Sequence, residues 1–283
     1  AHTGWRKLES EWVYLHGDGA VGERGAVAGV KTKLPPHLSL FVLPVPPSDP
    51  REAVRASLAI LGLAPERLTA PGLAAAYRAA LGETDFSLHI AGASGVFKSE
   101  FAALLQRHYG RGFDREHLPM SWGSTANANE GVGFAAKDAL MVIDDFVPLG
   151  SAADRQRQNR EADRLLRAQG NRQGRNRMNA DLSLREGRAP RCLFVSTGEE
   201  IPSGLSLAAR LLILDVAKSD IDKVKLTACQ HEGAAGLYSE AMSAYLKWLA
   251  PRLERVRALA AERKSDLREA ERQGGEHPRT PGI

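Results

Sequence analysis

Short apolar runs alternate with longer segments of helical periodicity in the middle of the chain. The runs have the length and composition of buried strands and lie at 86–91, 139–143, 192–195 and 210–214. Ala- and Leu-rich segments between them predict helices over 98–109 and 127–137, and either Ser124 or Thr125 would cap the second. Strands that alternate with helices predict an α/β core, in which helices cover both faces of a parallel sheet.

The two flanks have other patterns. Residues 5–46 read as β-rich, with apolar runs at 11–15 and 39–43 separated by turn residues. A proline-rich break at 44–50 follows, in which Ser48 and Asp49 offer a helix cap. The predicted helices outside the core cover 51–61, 70–81, 218–230 and a long stretch from about 234 to 272. Pro251 should break or kink that last stretch.

These patterns divide the chain into five consecutive segments. We expect a β-rich N-terminal region, a helical segment, the α/β core, a helical C-terminal subdomain and a disordered tail, over residues 1–46, 47–85, 86–217, 218–272 and 273–283. The tail prediction depends on its polar, Pro- and Gly-rich composition.

Composition narrows the class of protein. The 283 residues are 43% hydrophobic, 25% charged and 6% aromatic, which is typical of a soluble globular chain of about two domains. Average Gly and Pro content argues against collagen-like or wholly disordered chains, and no apolar run approaches the ~18 residues of a membrane helix. Cys192 and Cys229 are too few for a disulfide scaffold or a four-ligand zinc site, which favours a cytoplasmic location. The start, without Met or a signal pattern, reads as a fragment of a longer chain.

The positive charge is concentrated in one segment. Residues 151–191 hold eleven arginines, no lysine and five acids, a net charge of +6, whereas the whole chain carries +4. The remaining residues therefore sum to −2. This distribution describes a basic insert on a near-neutral protein and points to a polyanionic partner.

A glycine-rich turn between the first core strand and its helix carries the strongest motif. It consists of Gly92, Ala93, Ser94, Gly95, Val96, Phe97, Lys98 and Ser99. A phosphate-binding loop needs backbone N–H groups at a helix N-terminus, a Lys for the β- and γ-phosphates and a hydroxyl for Mg²⁺. Lys98 and Ser99 stand at the required spacing, so ATP and Mg²⁺ are the predicted ligands. Phe97 stands where the general pattern has Gly. An ordinary strand–turn–helix with an exposed Lys is the competing interpretation.

Two carboxylates end the next apolar strand. Asp144 and Asp145 follow Ile143, forty-six residues past Lys98 in the case of Asp144. In P-loop ATPases such a strand lies beside the loop, where its first acid holds Mg²⁺ through water and the second polarises the attacking water. Asp145 is one methylene shorter than the Glu of many such enzymes. Two solvated acids at a turn are the simpler alternative.

Two later residues complete the set of candidates. Thr197, with Ser196, ends the strand at 192–195 and could orient water or contact the γ-phosphate, although strands often end in Ser or Thr. Arg210 begins the last core strand, where ring ATPases often place an arginine finger for a neighbour's nucleotide. A surface Arg at a strand start is an equally good interpretation.

This ordered set resembles the AAA+-type core of superfamily 3 helicases. More narrowly, residues 1–217 resemble helicase-like P-loop ATPases of phages, plasmids and integrative elements, a group catalogued largely as a domain of unknown function. The matching stretches are Thr3-Gly4-Trp5-Arg6, Gly92 to Lys98, Ser121 to Asn127, Val142 to Phe146 and Gly170-Asn171-Arg172. A Phe before the loop Lys is tolerated in that group. The resemblance implies a replication role, a homo-oligomeric ring (a hexamer) and a primase–polymerase partner.

The basic insert lies between the acidic strand and the strand that ends in hydroxyls. Ring helicases carry in this interval a hairpin that follows the nucleic-acid backbone, and Arg172, Arg175 and Arg177 suit contacts with phosphates. Gly170 and Gly174 indicate a loop at the centre of the insert. The competing interpretation is a solvated helix and loop in a chain that is rich in Arg throughout.

Together these features predict an ATP-dependent motor that moves on single-stranded DNA, although the sequence does not separate DNA from RNA. No membrane partner is predicted. Two alternatives stay open. One is a nucleotide-gated DNA-binding or regulatory module with little hydrolysis, which Phe97 and Asp145 favour. The other is a small-molecule P-loop kinase, which would be a monomer without need of the basic insert.

Overall fold

The fold is described here from a computed structural model for residues 1–148, 150–174, 177–178, 184–185, 187–204, 207 and 209–274. Within them, strands form a four-stranded antiparallel sheet, a five-stranded parallel sheet and a two-stranded hairpin. The antiparallel sheet consists of β1 (Gly4–Leu8), β2 (Glu11–His16), β3 (Gly19–Gly22) and β4 (Gly25–Ala26). The parallel sheet consists of β5 (Ser87–Ala91), β6 (Met120–Ser121), β7 (Leu140–Phe146), β10 (Leu193–Gly198) and β11 (Leu211–Asp215). The hairpin consists of β8 (Arg177–Met178) and β9 (Leu184–Arg185).

Helices connect and cover these strands. The α-helices are α1 (Arg51–Ala59), α2 (Glu66–Ala79), α3 (Lys98–Gln106), α4 (Ala126–Ala135), α5 (Ala152–Asn171), α6 (Lys223–Ala235), α7 (Leu237–Leu249) and α8 (Leu253–Gly274). Single 3₁₀ turns cover Pro36–Leu38, Ile60–Gly62, Arg107–Tyr109 and Ala250–Arg252.

The order of the parallel sheet decides what meets at its carboxyl edge. The order is β11-β5-β10-β7-β6, and every neighbouring pair is parallel. The α/β core with a parallel sheet, the β-rich N-terminal region and the helical C-terminal region are therefore confirmed. The acidic strand β7 does not pair with the loop strand β5, because β10 lies between them. In such sheets ligands bind beyond the carboxyl ends of the strands.

The central strands are apolar because they are covered on both faces. Leu140–Ile143 and Leu193–Val195 are almost completely buried, as expected for a parallel sheet under helices. Trp5, Tyr14 and Val21 of the antiparallel sheet belong to the same buried cluster. The N-terminal sheet therefore shares one core with the parallel sheet.

One predicted strand was wrong, and two predicted helices form but start at other residues. Residues 39–43 form no strand: Phe41 packs on Tyr109 and Phe113, and its carbonyl accepts a hydrogen bond from Gly17 N at 2.5 Å. The helix predicted at 70–81 starts at Glu66, directly after Pro65. The helix predicted from residue 218 starts at Lys223, because Asp222 caps it by accepting bonds from two backbone N–H groups.

The predicted break at Pro251 is confirmed, since a 3₁₀ turn over Ala250–Arg252 separates α7 from α8. Thr125 rather than Ser124 caps α4, and its side chain accepts from Ala128 N at 3.3 Å. The predicted disordered tail, apart from the end of α8 at Gly274, lies outside the described residues.

Candidate nucleotide-binding site

The glycine-rich turn joins the carboxyl end of β5 to the first residue of α3. The exposed residues Ala93–Gly95 lie ahead of a helix N-terminus, where backbone N–H groups favour an anion. Gly92 has φ +151°, and a Cβ there would lie 2.5 Å from the Val216 carbonyl oxygen. Only glycine therefore lets the loop pass so close to the end of β11. Lys98 Nζ donates to the Ala93 carbonyl oxygen at 2.7 Å, which holds the ammonium group over the loop.

Phe97 adopts the left-handed backbone conformation that glycine would adopt at this point. Its φ and ψ are 66° and 26°, and it is the N-cap residue of α3. The conformation costs a bulky residue about 1–2 kcal/mol. Phe97 packs against the buried core, and Lys223 Nζ lies 5.6 Å from its ring centroid, so packing offsets part of this cost. The backbone conformation that glycine favours is thus present with Phe97 in place.

Hydroxyl and carboxylate groups from three elements meet below the loop. Ser99 Oγ donates to Asp144 Oδ1 at 2.8 Å, and Thr197 Oγ1 donates to the same oxygen. Asp145 N donates to Thr197 Oγ1 at 3.1 Å. Because β10 lies between β5 and β7, Thr197 stands at the centre of this group. The structure therefore brings together Ser99, Asp144 and Thr197, which the sequence predicted separately; their roles remain predictions.

Asp145 turns away from the strand. Its φ is 68°, in the left-handed region that Asp tolerates better than most residues, and its side chain is exposed. Asp144, by contrast, is half-buried. Two adjacent carboxylates therefore differ in position: one is hydrogen-bonded inside the site and the other is open to solvent.

A buried hydrogen-bond chain lies under the site. His89 Nε2 donates to the Glu200 carbonyl oxygen at 3.0 Å, so its Nδ1 accepts from Ser196 Oγ at 2.9 Å. Ser196 Oγ also accepts from Trp122 Nε1 at 2.9 Å. Burial lowers the pKa of His89 to about 4, and the charge of Lys98 adds to this shift. This series of hydrogen bonds fixes β6, β5 and β10 relative to one another.

Little in the sequence predicts this series of hydrogen bonds. His89 lies in the middle of an apolar run, and nothing in the sequence links it to Trp122. The only available signal was Trp122 itself, a polar-tipped aromatic residue next to a short apolar run, since a buried indole N–H needs an acceptor. Trp122 N also donates to the Asp144 carbonyl oxygen at 2.9 Å, which places this residue beside the acidic strand.

Arg210 lies at the other edge of the sheet. Leu211 pairs with Ser87, so Arg210 precedes the amino end of β11, whereas the loop follows the carboxyl end of β5. Arg210 is 7% exposed, and its Nη2 donates to Asn171 Oδ1 at 2.8 Å. A finger role would therefore concern the nucleotide of another copy, and it stays a prediction.

The first half of the basic insert is a helix rather than a loop. Ser151 and Asp154 form a capping box at the start of α5, and Gly170 lies inside its last turn. Arg164 and Arg167 on this helix pair with Glu130 at 3.1 Å and Asp163 at 3.2 Å. Gly170 therefore lies in a helix rather than in the predicted loop, whereas Gly174 lies in the segment that follows the helix.

The three arginines assigned to nucleic acid follow this helix. Arg172 caps it with φ 54°, and its Nη1 pairs with Glu83 Oε2 at 3.2 Å. Arg177 begins the hairpin strand β8, and Arg175 lies outside the described residues. Contact with nucleic acid stays a prediction for all three.

The Thr3-Gly4-Trp5-Arg6 stretch docks the N-terminal sheet on the amino edge of the parallel sheet. Trp5 N donates to Asp138 Oδ2 at 3.0 Å, and Trp5 Nε1 donates to the Ala80 carbonyl oxygen at 2.6 Å. Gly4 has φ +90°, and a Cβ there would lie 2.3 Å from the Lys137 carbonyl oxygen. Close packing at this corner thus accounts for the composition of the stretch.

Within the described part of the chain, no helix is long and apolar enough to cross a bilayer. Nor do His, Cys, Asp and Glu side chains among those residues form a group of three or more that could hold a metal ion. A cation at this site would thus depend on hydroxyl and phosphate oxygens as well as on Asp144.

No protein-family model matches the sequence, and no curated protein matches it. Among solved structures, the SCCmec type IV Cch active helicase matches 95% of this chain at 15% identity and a TM-score of 0.60. This chain covers 50% of that helicase chain. An inhibitor-bound JCV helicase and the NrS-1 C-terminal region each match 77% of this chain at 14% identity and a TM-score of 0.40. This chain covers 61% and 51% of those two chains.

The Cch match extends over nearly the whole chain and shows the fold, and this chain spans about half of that protein's length. The chain therefore shares the fold of that helicase, and in this fold the glycine-rich loop, the acidic strand and the hydroxyl-ended strand meet at one edge of the parallel sheet.

Proposed function

We propose that this protein is an ATP-dependent motor that moves on single-stranded DNA as a ring, as a replicative helicase of a mobile element does. The observation that carries the proposal is the convergence of Ser99 and Thr197 on Asp144 directly below the loop of Lys98. A solvated Lys or a pair of turn carboxylates does not require this convergence, whereas nucleotide hydrolysis does.

The donors at the site suit Mg²⁺ and ATP. Mg²⁺ prefers oxygen ligands, retains several waters and takes substrate phosphates as further ligands, so the Ser99 hydroxyl and the Asp144 carboxylate would hold it. When bound, the ion neutralises charge on the phosphates. Residues Gly92 to Phe97 would bind the phosphates through backbone N–H groups, and Lys98 would contact the β- and γ-phosphates.

The remaining residues would act on water and on the transition state. Asp145 is exposed next to Asp144 and would orient and deprotonate the attacking water. Thr197 already accepts from Asp145 N, so it would hold that residue in position. Arg210 of one copy would reach the γ-phosphate of its neighbour, which requires a ring. Arg172, Arg175 and Arg177 would contact the phosphates of the DNA strand.

ATP turnover with and without single-stranded DNA tests the proposal. A motor should hydrolyse ATP faster in the presence of an oligodeoxynucleotide, and deletion of residues 170–178 should abolish the stimulation. Hydrolysis that DNA does not change, together with tight ATP binding, would instead support the nucleotide-gated module. Phosphate transfer to a small molecule by the deletion variant would support the kinase.

Assembly is a separate measurement. Mass photometry with ATP should detect a ring. In mixtures of Arg210→Ala chains with Lys98→Ala chains, some activity should return, because an intact finger can then meet an intact loop. A monomer under all conditions, with full activity in Arg210→Ala, would contradict the ring.

A further inference from the structure

A groove of about 650 Å³ opens at the amino edge of the parallel sheet. We call it the amino-edge groove; the antiparallel sheet forms one wall, and the residues before β5, β7 and β10 form the floor. Thr84, Asp138 and Cys192 mark that floor. Strands of five to seven residues, at about 3.3 Å per residue, separate it from the glycine-rich loop by roughly 17–23 Å. The groove is thus distinct from the nucleotide site.

Aromatic rings with cationic partners line this groove. Trp12 and Phe134 are half-buried, so part of each ring is open to a ligand. The Arg191 guanidinium lies 3.9 Å from the centroid of the Phe134 ring, and Lys7 Nζ lies 5.7 Å from that of Trp12. Aromatic rings and guanidinium planes are the surfaces on which unpaired bases stack.

The lining of the groove carries more cations than carboxylates. Six of its residues are cations, namely Arg6, Lys7, Lys137, Arg172, Arg191 and Arg257. Its carboxylates are Glu83 and Asp138. Asp138 already accepts from Trp5 N and from Lys137, and it is 4% exposed, so it offers little repulsion to an anion. The excess of cations favours a ligand with phosphate groups.

The groove also lies at the base of the hairpin. Arg172 precedes the hairpin and Arg191 follows it, and both line the groove. A single strand of nucleic acid bound along the hairpin would also pass the groove. The position therefore favours an extended nucleic acid over a free small molecule.

We propose that the amino-edge groove binds one or two nucleotides of a single strand of nucleic acid. A base would stack on the surface formed by Trp12, Phe134 and Arg191, and flanking phosphates would lie near Arg6 and Arg172. The inference rests on the proposed function in choosing a single strand of nucleic acid as the ligand. It concerns binding alone and needs no ATP.

Photochemical cross-linking locates the contact. The probe is an oligothymidylate with 5-iodouracil at single positions, bound to the nucleotide-free full chain. After irradiation, peptide mapping should find the link at Trp12 or Phe134. Links confined to other parts of the chain would overturn the proposal.

Affinity measurements test the chemistry. Trp12→Leu and Phe134→Leu should each weaken binding of the oligothymidylate about five- to hundredfold, as loss of a stacking surface does. Trp248→Leu is the matched control, because the Trp248 ring is open to solvent and lies 5.3 Å from Arg252, but Trp248 is on α7. An abasic oligonucleotide should bind wild type and both groove variants equally. Unchanged affinity in both variants, with unfolding transitions like that of wild type, would contradict the proposal.

Salt dependence separates phosphate contacts from stacking. Arg6→Gln should reduce the slope of log affinity against log salt by about 0.7, whereas Trp12→Leu should leave the slope unchanged. Arg55→Gln, which removes another exposed Arg, on α1, is the control for net charge. Equal slopes for Arg6→Gln and Arg55→Gln would count against a phosphate contact in the groove.

Two further results distinguish this inference from the proposed function. If the protein hydrolyses no ATP but cross-links at Trp12, the groove is confirmed and the motor is not. If DNA stimulates ATP hydrolysis but the groove variants bind DNA as wild type does, the motor stands and the groove fails. Displacement of the oligonucleotide by thymidine monophosphate at equal affinity would indicate a free-nucleotide pocket and would overturn the proposal.

Discussion

Strand β7 has an aspartate at each end, and the two have opposite surroundings. Asp138 precedes the strand at the amino edge, is 4% exposed and accepts bonds from Trp5 N and Lys137. Asp144 lies at the carboxyl edge, is half-buried and accepts from the hydroxyls of Ser99 and Thr197. Charged and backbone donors bind the first, while hydroxyls that can turn to other ligands bind the second.

The difference indicates which carboxylate stabilises the fold and which is available for chemistry at the nucleotide site. When a buried carboxylate is held by a cation and a backbone N–H, its substitution destabilises the protein. A carboxylate that shares its oxygen with hydroxyl groups at an open edge is available to a metal ion. We therefore expect substitutions at the two ends of β7 to separate activity from stability.

The largest effect is expected at the carboxyl edge. Lys98→Ala should lower kcat/KM for ATP hydrolysis at least about 100-fold, because it removes the charge that stabilises the transition state. The free energy of unfolding should change by less than about 0.5 kcal/mol, since Lys98 is only half-buried. Turnover assays and urea unfolding measure both quantities. Lys218→Ala, a change of an exposed Lys, is the control, and equal activity of the two variants would refute the assignment.

Asp145→Asn should follow in size. It keeps a residue that tolerates φ 68° but removes the base, so kcat should fall about 100-fold while ATP affinity stays the same. Single-turnover kinetics and equilibrium nucleotide binding separate the two effects. An unchanged kcat would show that another group activates water.

Asp138→Asn should show the opposite behaviour. It leaves Lys137 without its buried partner, so the free energy of unfolding should fall by about 2–3 kcal/mol; this is less than for a fully buried pair, because Lys137 is partly exposed. At temperatures where the variant is folded, kcat should equal that of wild type. Asp266→Asn on the exposed surface of α8 is the control. Lost activity in a stable variant would reverse the roles that we assign to the two ends.

The stability that the buried hydrogen bonds of His89 contribute should depend on pH. The pKa of His89 is about 4 in the folded chain and near 6.5 when unfolded, so the unfolded state binds the proton first as pH falls. The stability that neutral His89 contributes is fully present above about pH 6.5 and is lost as pH falls towards 4. His89→Gln should therefore reduce the loss of unfolding free energy between pH 7 and pH 5 by about 2 kcal/mol. An identical pH dependence in both proteins would contradict the shift.

The smallest effect is expected at Phe97. Phe97→Gly relieves the left-handed conformation but removes packing on the core and adds freedom to the unfolded chain. These contributions nearly cancel, so the free energy of unfolding should change by less than about 1 kcal/mol and kcat by less than about threefold. A tenfold gain in kcat would show that Phe97 restrains hydrolysis, as in a nucleotide-gated module.

The sequence predicted the elements of the site better than their arrangement. Strands, loop and acids were local signals, and the alternation of strands with helices was enough to predict the parallel sheet. The order of the sheet was not a local signal, because the place of β10 between β5 and β7 depends on which strands pair across more than fifty residues. For that reason the contact between Thr197 and Asp144 could not be predicted.

Errors in local structure have physical causes that single residues illustrate. The helix α5 is rich in Arg and Gln, and Ala162, Leu165 and Leu166 among its apolar residues face the core, so its periodicity is weak. The capping box of Ser151 and Asp154 nevertheless marks the start of this helix. At 39–43 an apolar run had the composition of a strand, but Phe41 is buried through side-chain packing without a pairing strand.

Strand β10 constrains how the protein can change in evolution. Cys192, just before the strand, lines the amino-edge groove, and Thr197, near its other end, bonds to Asp144. An inserted or deleted residue in this strand would reverse the faces of every side chain beyond it. A one-residue insertion or deletion within the six residues of β10 would therefore disturb the groove at one edge of the sheet or the candidate nucleotide site at the other.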